Sequence, residues 1–341
     1  MLFRRRRHAR EGMLKLITAY WQSQLVFVAA KLGIADVLVA GPMTADVIAR
    51  RVGADGPYLQ RVLRALASVG VFSTDSQARF GLTPLAQTLR SDHPESLRNF
   101  ALMLVDDYTW QAWGALDHAV VTGGSAFEHV HGLPAFPYMQ QHPEKERTFS
   151  ASMASISAME NSAVARAYAF GRLHRVVDVG GAHGHLLATI LRTYPNLRGV
   201  LFDQPQVVEA AAQTGFITAP DVHSRCEAVA GDFFASVPEG ADAYVMKYVI
   251  HDWDDDRSVG ILLNCRNAMA ADGRVLVVDH VISSGNRRDW SKLLDINMMV
   301  VPGGRERTRN EFRDLFGRAG LKLRRVIATS SSLHILEGVT A

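Results

Sequence analysis

The stretch best suited to hold a ligand is Val176-Val177-Asp178-Val179-Gly180-Gly181-Ala182-His183-Gly184, an apolar run that passes an acid and then turns through glycines. Backbone without Cβ atoms can approach a bound molecule closely, and a helix starting near His185 would offer unpaired N–H groups to a carboxylate or phosphate. The spacing is Gly-Gly-x-x-Gly, which fits a dinucleotide fingerprint of Gly-x-Gly-x-x-Gly poorly. Asp203 closes Val200-Leu201-Phe202-Asp203 about 20 residues further on, where an acid can accept both ribose hydroxyls of an adenosine. Nucleotide and adenosylmethionine sites share that feature. Asp232, followed by Phe233 and Phe234, offers a carboxylate and an aromatic face to an adenine, although the same residues would serve as an N-cap followed by core aromatics.

Such residues need strand ends to carry them. Short apolar runs at Val176 to Val179, Gly199 to Phe202, Ala228 to Ala230, Ala243 to Val249 and Val275 to Val278 are each followed by a helical segment. Strands buried on both faces and alternating with helices predict a doubly wound parallel sheet, with ligands at its carboxyl ends. The runs Leu321 to Ile327 and Leu333 to Val339 have no helix between them and predict an added antiparallel hairpin.

Upstream the period is helical. Apolar residues recur at helical spacing from about Met13 to Leu38, broken at Gly33; Thr44 then caps a second helix and Asp55-Gly56-Pro57 starts a third, which ends at Gly70. Val71-Phe72 and Arg79 to Leu82 flank a polar turn, completing a winged-helix pattern. The third helix shows only Arg61 and Arg64 among Leu59, Val62, Leu63, Leu66 and Val69, which suits packing on protein better than reading DNA. From about Pro94 to Phe170 the chain reads as mostly helical. Trp110, Trp113, Phe127, Phe136, Tyr138, Phe149, Met153 and Met159 along it read first as core, and second as the flat, soft lining of an aromatic-ligand pocket.

Composition limits the alternatives. The chain has 341 residues, 48% of them apolar, enough for two cores, and a formal net charge of only +3, which gives no general attraction to nucleic acid or membrane. Arg4 to Arg7, His8 and Arg10 form one basic run ahead of the amphipathic pattern and read as a disordered tail. No apolar stretch approaches the roughly 20 residues that span a bilayer, and no secretory core is present, so a soluble, cytoplasmic protein is expected. Cys226 and Cys265 lack metal-ligand spacing and read as reduced, buried thiols; no metal is expected.

Several motifs in order resemble a known family. Gly231-Asp232-Phe233-Phe234, Val237-Pro238-Glu239-Gly240-Ala241-Asp242, Lys247-Tyr248-Val249-Ile250-His251-Asp252-Trp253, Asn264-Cys265-Arg266-Asn267-Ala268-Met269 and Pro302-Gly303-Gly304-Arg305-Glu306-Arg307-Thr308 are similar to the signature of caffeate- and acetylserotonin-type O-methyltransferases. The similarity spans nearly the whole chain and is closest to bacterial members that decorate secondary metabolites. It implies an α/β protein with a C-terminal Rossmann-like class I methyltransferase domain and an N-terminal helical winged-helix dimerisation domain. The expected segments are a basic tail at 1–11, the dimerisation domain at 12–93, a connecting, substrate-lining region at 94–170 and the methyltransferase domain at 171–341.

The same resemblance implies roles. It places Asp178, Gly180 and Gly181 around the methionine end of S-adenosylmethionine, Asp203 on its ribose, Asp232 and Phe233 at adenine, and Lys247 at a further cofactor position. It makes His251 the general base, oriented by Glu306 and by Asp279, where the family usually has glutamate; one methylene shorter, Asp279 would reach the imidazole through a shift or a water. Ala182 replaces the third glycine of the usual turn. Met153, Asp252, Asp295, Met298, Met299 and, less strongly, Trp110 fall at or beside substrate-facing positions, although at least one of Met298 and Met299 must be core. The implied partners are a small hydroxylated aromatic substrate and a second copy of the chain, with neither nucleic acid nor membrane.

The implied chemistry is modest. A phenol with a pKa of about 10 is a poor nucleophile at neutral pH, and an imidazole can take its proton as the methyl begins to transfer. Alignment of oxygen, methyl carbon and sulfur can supply ~7 to 11 kcal/mol. Competing readings are the same fold without methyl transfer (a hydroxylase or decarboxylase), an N-methyltransferase, and a winged-helix DNA-binding metabolite sensor; His251 and Glu306 argue against the first.

Overall fold

The computed structural model describes residues 2–213 and 215–341, with the side chains of 2–7, 158 and 159 left out. The side chains of Arg4 to Arg7 in the basic run, and of Met159 in the methionine and aromatic stripe, therefore lie outside the described residues. The chain divides into two compact units, Met1–Trp110 with Met139–Ile156, and Gln111–Tyr138 with Ser157–Ala341. This division interleaves what the sequence suggests as one connecting segment at 94–170. The physical reason is that helices pack by apolar face and not by chain order. Arg98–Val105 joins the first unit by packing on Ala19–Lys31, with Arg98 Nε donating to the Ala30 carbonyl at 3.0 Å. Ala126–His131 joins the second by packing on Trp290–Val300.

The first unit begins with the helix Leu2–Ile17, so helical backbone starts well before the expected position near Met13 and includes the run read as a tail. Arg, Ala, Glu, Leu and Met are all strong helix formers, and charge alone does not oppose a helix. Ala19–Lys31 follows, and the chain breaks at Gly33, whose φ is +64°. The strands β1 (Met43–Thr44), β2 (Phe72–Thr74) and β3 (Arg79–Leu82) form a small antiparallel sheet in the order β1-β3-β2. Between β1 and β2 lie the helices Ala45–Val52 and Gly56–Ser68, the second capped by Asp55, which accepts from the Tyr58 amide at 3.0 Å. Leu59, Leu63 and Leu66 of that helix are buried with Ile48, Phe72 and Phe80, and Tyr58, Gln60, Arg61, Arg64 and Ser68 are exposed. Leu16, Ile17, Tyr20 and Trp21 are exposed, at 71, 60, 50 and 57%.

The second unit is built on a seven-stranded sheet. Its strands are β4 (Arg175–Val179), β5 (Arg198–Asp203), β6 (Cys226–Ala230), β7 (Ala243–Lys247), β8 (Arg274–Asp279), β11 (Leu321–Ala328) and β12 (His334–Thr340), in the order β11-β12-β8-β7-β4-β5-β6. The five strands from β8 to β6 are parallel, and β12 and β11 add the antiparallel hairpin. A two-residue parallel bridge joins β9 (Val281–Ile282) to β10 (Arg307–Thr308).

Alternate residues of each strand enter separate cores. Val176, Leu201, Val245 and Leu276 pack with the helix His185–Thr193, while Val177, Val200, Tyr244 and Val277 pack with Asp255–Ala268 and Arg309–Arg318. Cys265 is buried there, whereas Cys226 is only half-buried, because β6 is the sheet's edge strand. The chain winds from β4 outward to β6, then returns to β7 on the other side of β4. The reversal leaves the carboxyl ends of β4 and β7 side by side at a switch point, where open α/β sheets bind ligands.

Candidate active site

At the end of β4 the glycines are sterically required. Gly180 has φ +66°, and a Cβ there would stand 2.8 Å from Val249 Cγ2; a Cβ on Gly181 would stand 2.8 Å from the Asp178 carboxyl carbon. Asp178 is 2% exposed, and its Oδ2 has no hydrogen-bond partner. Burial, and then the like charge of Asp203, push its pKa up to about 7. A buried acid left in this state is matched by a cationic ammonium, the group an amino acid moiety would bring to a glycine-lined turn.

Asp203, at the end of β5, accepts from the Ala182 amide through Oδ2 at 2.8 Å and from the Gln204 amide through Oδ1 at 2.7 Å. Each oxygen keeps a lone pair, so a pair of vicinal hydroxyls can still be received. Ala182 itself sits at φ +49°, a left-handed conformation that costs an L-residue about 1 to 2 kcal/mol. His185 packs on Phe216 with ring centroids 3.8 Å apart and planes tilted by 41°, and burial pushes its imidazole down to about 4.

Asp232 is exposed and accepts from the Phe234 amide at 2.9 Å, closing the turn after β6. Phe233 packs edge-on against Phe234 and Trp253, and its Cε1 lies 3.6 Å from where a Gly180 Cβ would be. Its ring thus borders the glycine turn. Lys247, at the end of β7, does not solvate a strand end as its sequence position allows. It is buried, donates to Asn161 Oδ1 at 2.8 Å and pairs with Glu160 Oε2 at 3.2 Å.

Four residues past β7, the short turn Ile250–Asp252 presents His251, 7% exposed. Its Nδ1 lies 2.8 Å from Glu306 Oε1 and its Nε2 3.5 Å from Asp252 Oδ1. Burial alone would push this imidazole down; the Asp252, Glu306 and Asp279 carboxylates outweigh it and raise the pKa to about 10. Asp279 makes no hydrogen bond to the imidazole, since neither of its oxygens has a partner, and burial raises it to about 8. Burial also lifts Asp252, to about 6. The arrangement can fix one imidazole nitrogen on Glu306 and present the other to a hydroxyl or its anion.

Comparison with known proteins decides the family. An O-methyltransferase domain matches residues 113–322, and an O-methyltransferase dimerisation domain matches residues 14–92. The chain belongs to the O-methyltransferase family. It is 43% identical over 325 residues to the phenazine O-methyltransferase of Lysobacter antibioticus, covering 95% of this chain and 94% of that one. It is similar in structure to the mitomycin 7-O-methyltransferase, with a TM-score of 0.91 at 34% identity over 99% of this chain and 100% of the other. An O-methyltransferase of neocarzinostatin biosynthesis, solved with S-adenosyl-L-homocysteine and 1,4-dihydroxy-2-naphthoic acid, is 32% identical with a TM-score of 0.79, covering 94% and 96% of the two chains. The protein is an S-adenosylmethionine-dependent O-methyltransferase, and the alternative readings are not favoured.

The remaining expected residues of this O-methyltransferase are distributed unevenly. Asp295 Oδ1 accepts from the Glu306 amide at 2.9 Å and so supports the strand end bearing Glu306. Met298 is 9% exposed and belongs to the core, while Met299 is half-buried. Met153 and Trp110 lie in the first unit, Met153 half-buried and Trp110 39% exposed, its ring 6.0 Å from Tyr20. Trp113, whose spacing reads first as core, is 36% exposed and donates to Asn297 Oδ1 at 3.1 Å.

Sequence reasoning missed the residues that hold the histidine turn. Arg307 is fully buried and donates to the carbonyls of Ile250 at 3.0 Å and Trp253 at 2.9 Å, and to Asp255 Oδ1 at 2.7 Å. It brackets His251 from both sides. Gly304 packs directly on the His251 carbonyl, where a Cβ would overlap the oxygen, and the Arg305 amide donates to the same carbonyl at 2.8 Å. The motif Gly-Gly-Arg-Glu-Arg-Thr contains both, so its second arginine and second glycine were the available signal.

Proposed function

We propose that this O-methyltransferase methylates a ring hydroxyl of a small planar aromatic or polyketide-like metabolite, with His251 as the proton acceptor. One observation carries the reading: a buried imidazole is fixed through Nδ1 on Glu306 at 2.8 Å at the switch point of a glycine-turn sheet. S-adenosylmethionine, when bound, supplies an already activated methyl group. Asp178 and the Gly180–Gly181 turn would hold its amino acid end, Asp203 its ribose, and Asp232 with Phe233 its adenine. Lys247 serves the same pocket through its buried ion pair. Glu306 sets the tautomer of His251, directing Nε2 to the acceptor, and stabilises the imidazolium once it has taken the proton. Asp279 makes no hydrogen bond to the imidazole, and its orienting role is assigned on family resemblance alone. Asp252, beside Nε2, is assigned to the acceptor side, and Asp295, Met298, Met299, Met153 and Trp110 are assigned to acceptor binding on family resemblance alone.

The exposed Leu16, Ile17, Tyr20 and Trp21, within the dimerisation-domain match, support a homodimer with an interface above ~2,000 Å², and light scattering at micromolar protein reads its mass directly. No single described helix is long and apolar enough to cross a membrane, and a cytoplasmic enzyme fits that. The deciding assay incubates purified protein with methyl-labelled S-adenosylmethionine and a panel of phenols, hydroxyquinones, hydroxylated aromatic acids and aromatic amines. Labelled ether products are expected; label on amines alone would overturn the acceptor assignment. With the best phenol, His251→Ala should lower turnover by about 10² to 10⁴ fold.

A further inference from the structure

Glu160 lies in the helix Pro143–Ala167, is 7% exposed, and belongs to none of the motifs that identify the family. A carboxylate that deeply buried needs partners, and it has two, on consecutive residues at the end of β7. Oε1 accepts from the Tyr248 hydroxyl at 2.7 Å, and Oε2 lies 3.2 Å from Lys247 Nζ. Asn161, the next residue of the helix, takes a second proton of the same ammonium at 2.8 Å. Tyr248 is one of three non-glycine residues with positive φ among those described, at +58°, a conformation a bulky residue keeps only when its surroundings impose it. Its amide still donates to the Val278 carbonyl at 3.2 Å. The consequence of that twist is the placement of the phenol ring. It lies 5.1 Å from the His251 imidazole with planes 21° apart, and its hydroxyl reaches within 3.5 Å of His280 Nε2.

We propose that Glu160 is a positioning residue: it clamps Lys247 and the strained Tyr248, and through the stacked Tyr248 ring it fixes the plane of His251. The idea rests on the reading of His251 as the proton acceptor, because only then does the plane of the ring matter to turnover. Glu306 at Nδ1 and Asp252, 3.5 Å from Nε2, both meet the imidazole at its edge; a ring stacked on its face restrains its tilt. The carboxylate is also the only one that touches the ammonium of Lys247 among the described ion pairs, whose other contacts are Asn161 Oδ1 at 2.8 Å and the Tyr248 ring at 5.1 Å. Two features of the pocket, the cation at the end of β7 and the orientation of the histidine, thus depend on one side chain.

The test is carried by an NMR signature that needs no acceptor. A phenol ring stacked on an imidazole shifts the imidazole ring-proton resonances upfield. Enzyme with ring-labelled histidine and bound S-adenosyl-L-homocysteine is compared at one pH as wild type, Glu160→Ala, Glu160→Gln and Tyr248→Phe, with His251→Ala assigning the signal among the 13 histidines. Loss of the upfield shift is expected in Glu160→Ala and Tyr248→Phe, with most of it kept in Glu160→Gln, whose amide oxygen can still accept from Tyr248. With the acceptor selected by the labelled-methyl panel, the first two variants should lose roughly ten- to a hundredfold in kcat, the scale of a mispositioned catalytic group, with acceptor KM nearly unchanged. Unchanged His251 resonances in Glu160→Ala and Tyr248→Phe would overturn the proposal. If Glu160→Ala does not fold, the near-isosteric Glu160→Gln and Tyr248→Phe decide it. Full activity of His251→Ala would instead refute the proton-acceptor reading, and the resonances would still report the clamp.

Discussion

The charge state of His251 makes the pH dependence of methyl transfer a sharp test. The Asp252, Glu306 and Asp279 carboxylates outweigh burial and raise its pKa to about 10, so in the free enzyme at pH 7 the imidazolium predominates. The reactive complex contains one proton shared between imidazole and acceptor oxygen, whichever of the two carried it in free solution. For a phenol with a pKa of about 10, kcat/KM should therefore climb tenfold per pH unit from pH 7 to a maximum near pH 10, because kcat/KM reports the free enzyme and free substrate. An acidic hydroxyquinone or nitrophenol with a pKa of about 6 arrives as the anion and meets the imidazolium directly. Its profile should be flat from about pH 6 to about pH 10 and fall only above.

The assay is labelled-methyl transfer at limiting acceptor, with S-adenosylmethionine saturating, across that range and with both acceptors. In His251→Ala the alkaline limb near pH 10 should vanish for the acidic acceptor, and the rate should lose little below it. The competing expectation follows from an ordinary imidazole near ~6.5: a narrow bell centred between pH 6 and 7 for the acidic acceptor, declining tenfold per unit above. Observation of that bell would refute the reasoning, since it would mean that Asp252 and Asp279 do not hold the proton on His251.

Three further outcomes are expected. Asp203→Ala should weaken S-adenosylmethionine binding about ten- to a hundredfold in titration calorimetry, the ~1.5 to 3 kcal/mol of a charged acceptor. Asp178→Asn should weaken cofactor binding yet raise the melting temperature of the free enzyme above pH 7. The folded pKa of Asp178 is raised, so its contribution to stability is greatest at low pH and is lost as pH rises through about 7; the advantage of Asn must be larger at pH 8.5 than at pH 5.5 in thermal melts. Gly304→Ala should abolish turnover while S-adenosyl-L-homocysteine still binds, because a Cβ would displace the His251 carbonyl without touching β4 or β5.

Much of this site was legible because its residues sit where strands end. Asp178, Asp203 and Lys247 each close or nearly close an apolar run, and a period-two pattern with helices between locates such ends without any contact being known. His251 became readable only through its motif, since a lone histidine after a strand carries no periodic signal. Arg307 and Glu160 were opaque for a different reason. Their partners are 57 and 88 residues away in sequence, at Ile250 and Tyr248, and nothing local distinguishes a buried arginine or glutamate from a surface one. Lys247 shows the limit: its place at a strand end is legible, but a cation there is ordinarily solvated, and only the approach of Asn161 and Glu160 makes it a buried ion pair. The early start of the first helix was missed because apolar periodicity marks packing faces, whereas Arg4 to Arg10 supply propensity without a face.

The backbone strain of the molecule has the same address as its chemistry. Of the three described non-glycine residues with positive φ, Ala78 lies in the tip between β2 and β3, and the other two, Ala182 and Tyr248, follow β4 and β7 at the switch point. Each of these two is held by a carboxylate that arrives from another element: Asp203 of β5 receives the Ala182 amide, and Glu160 receives the Tyr248 hydroxyl. Strain that persists only under such restraint is stored where the surrounding structure over-determines it. Asp203 shapes the turn and is proposed to receive hydroxyls as well, and Ala182→Gly in the Asp203→Ala background can divide the two. The glycine removes the left-handed penalty of about 1 to 2 kcal/mol, so any cofactor affinity it restores belongs to the turn, and the loss that remains belongs to the hydroxyls. Full restoration of binding by the glycine would mean that Asp203 never touches the cofactor.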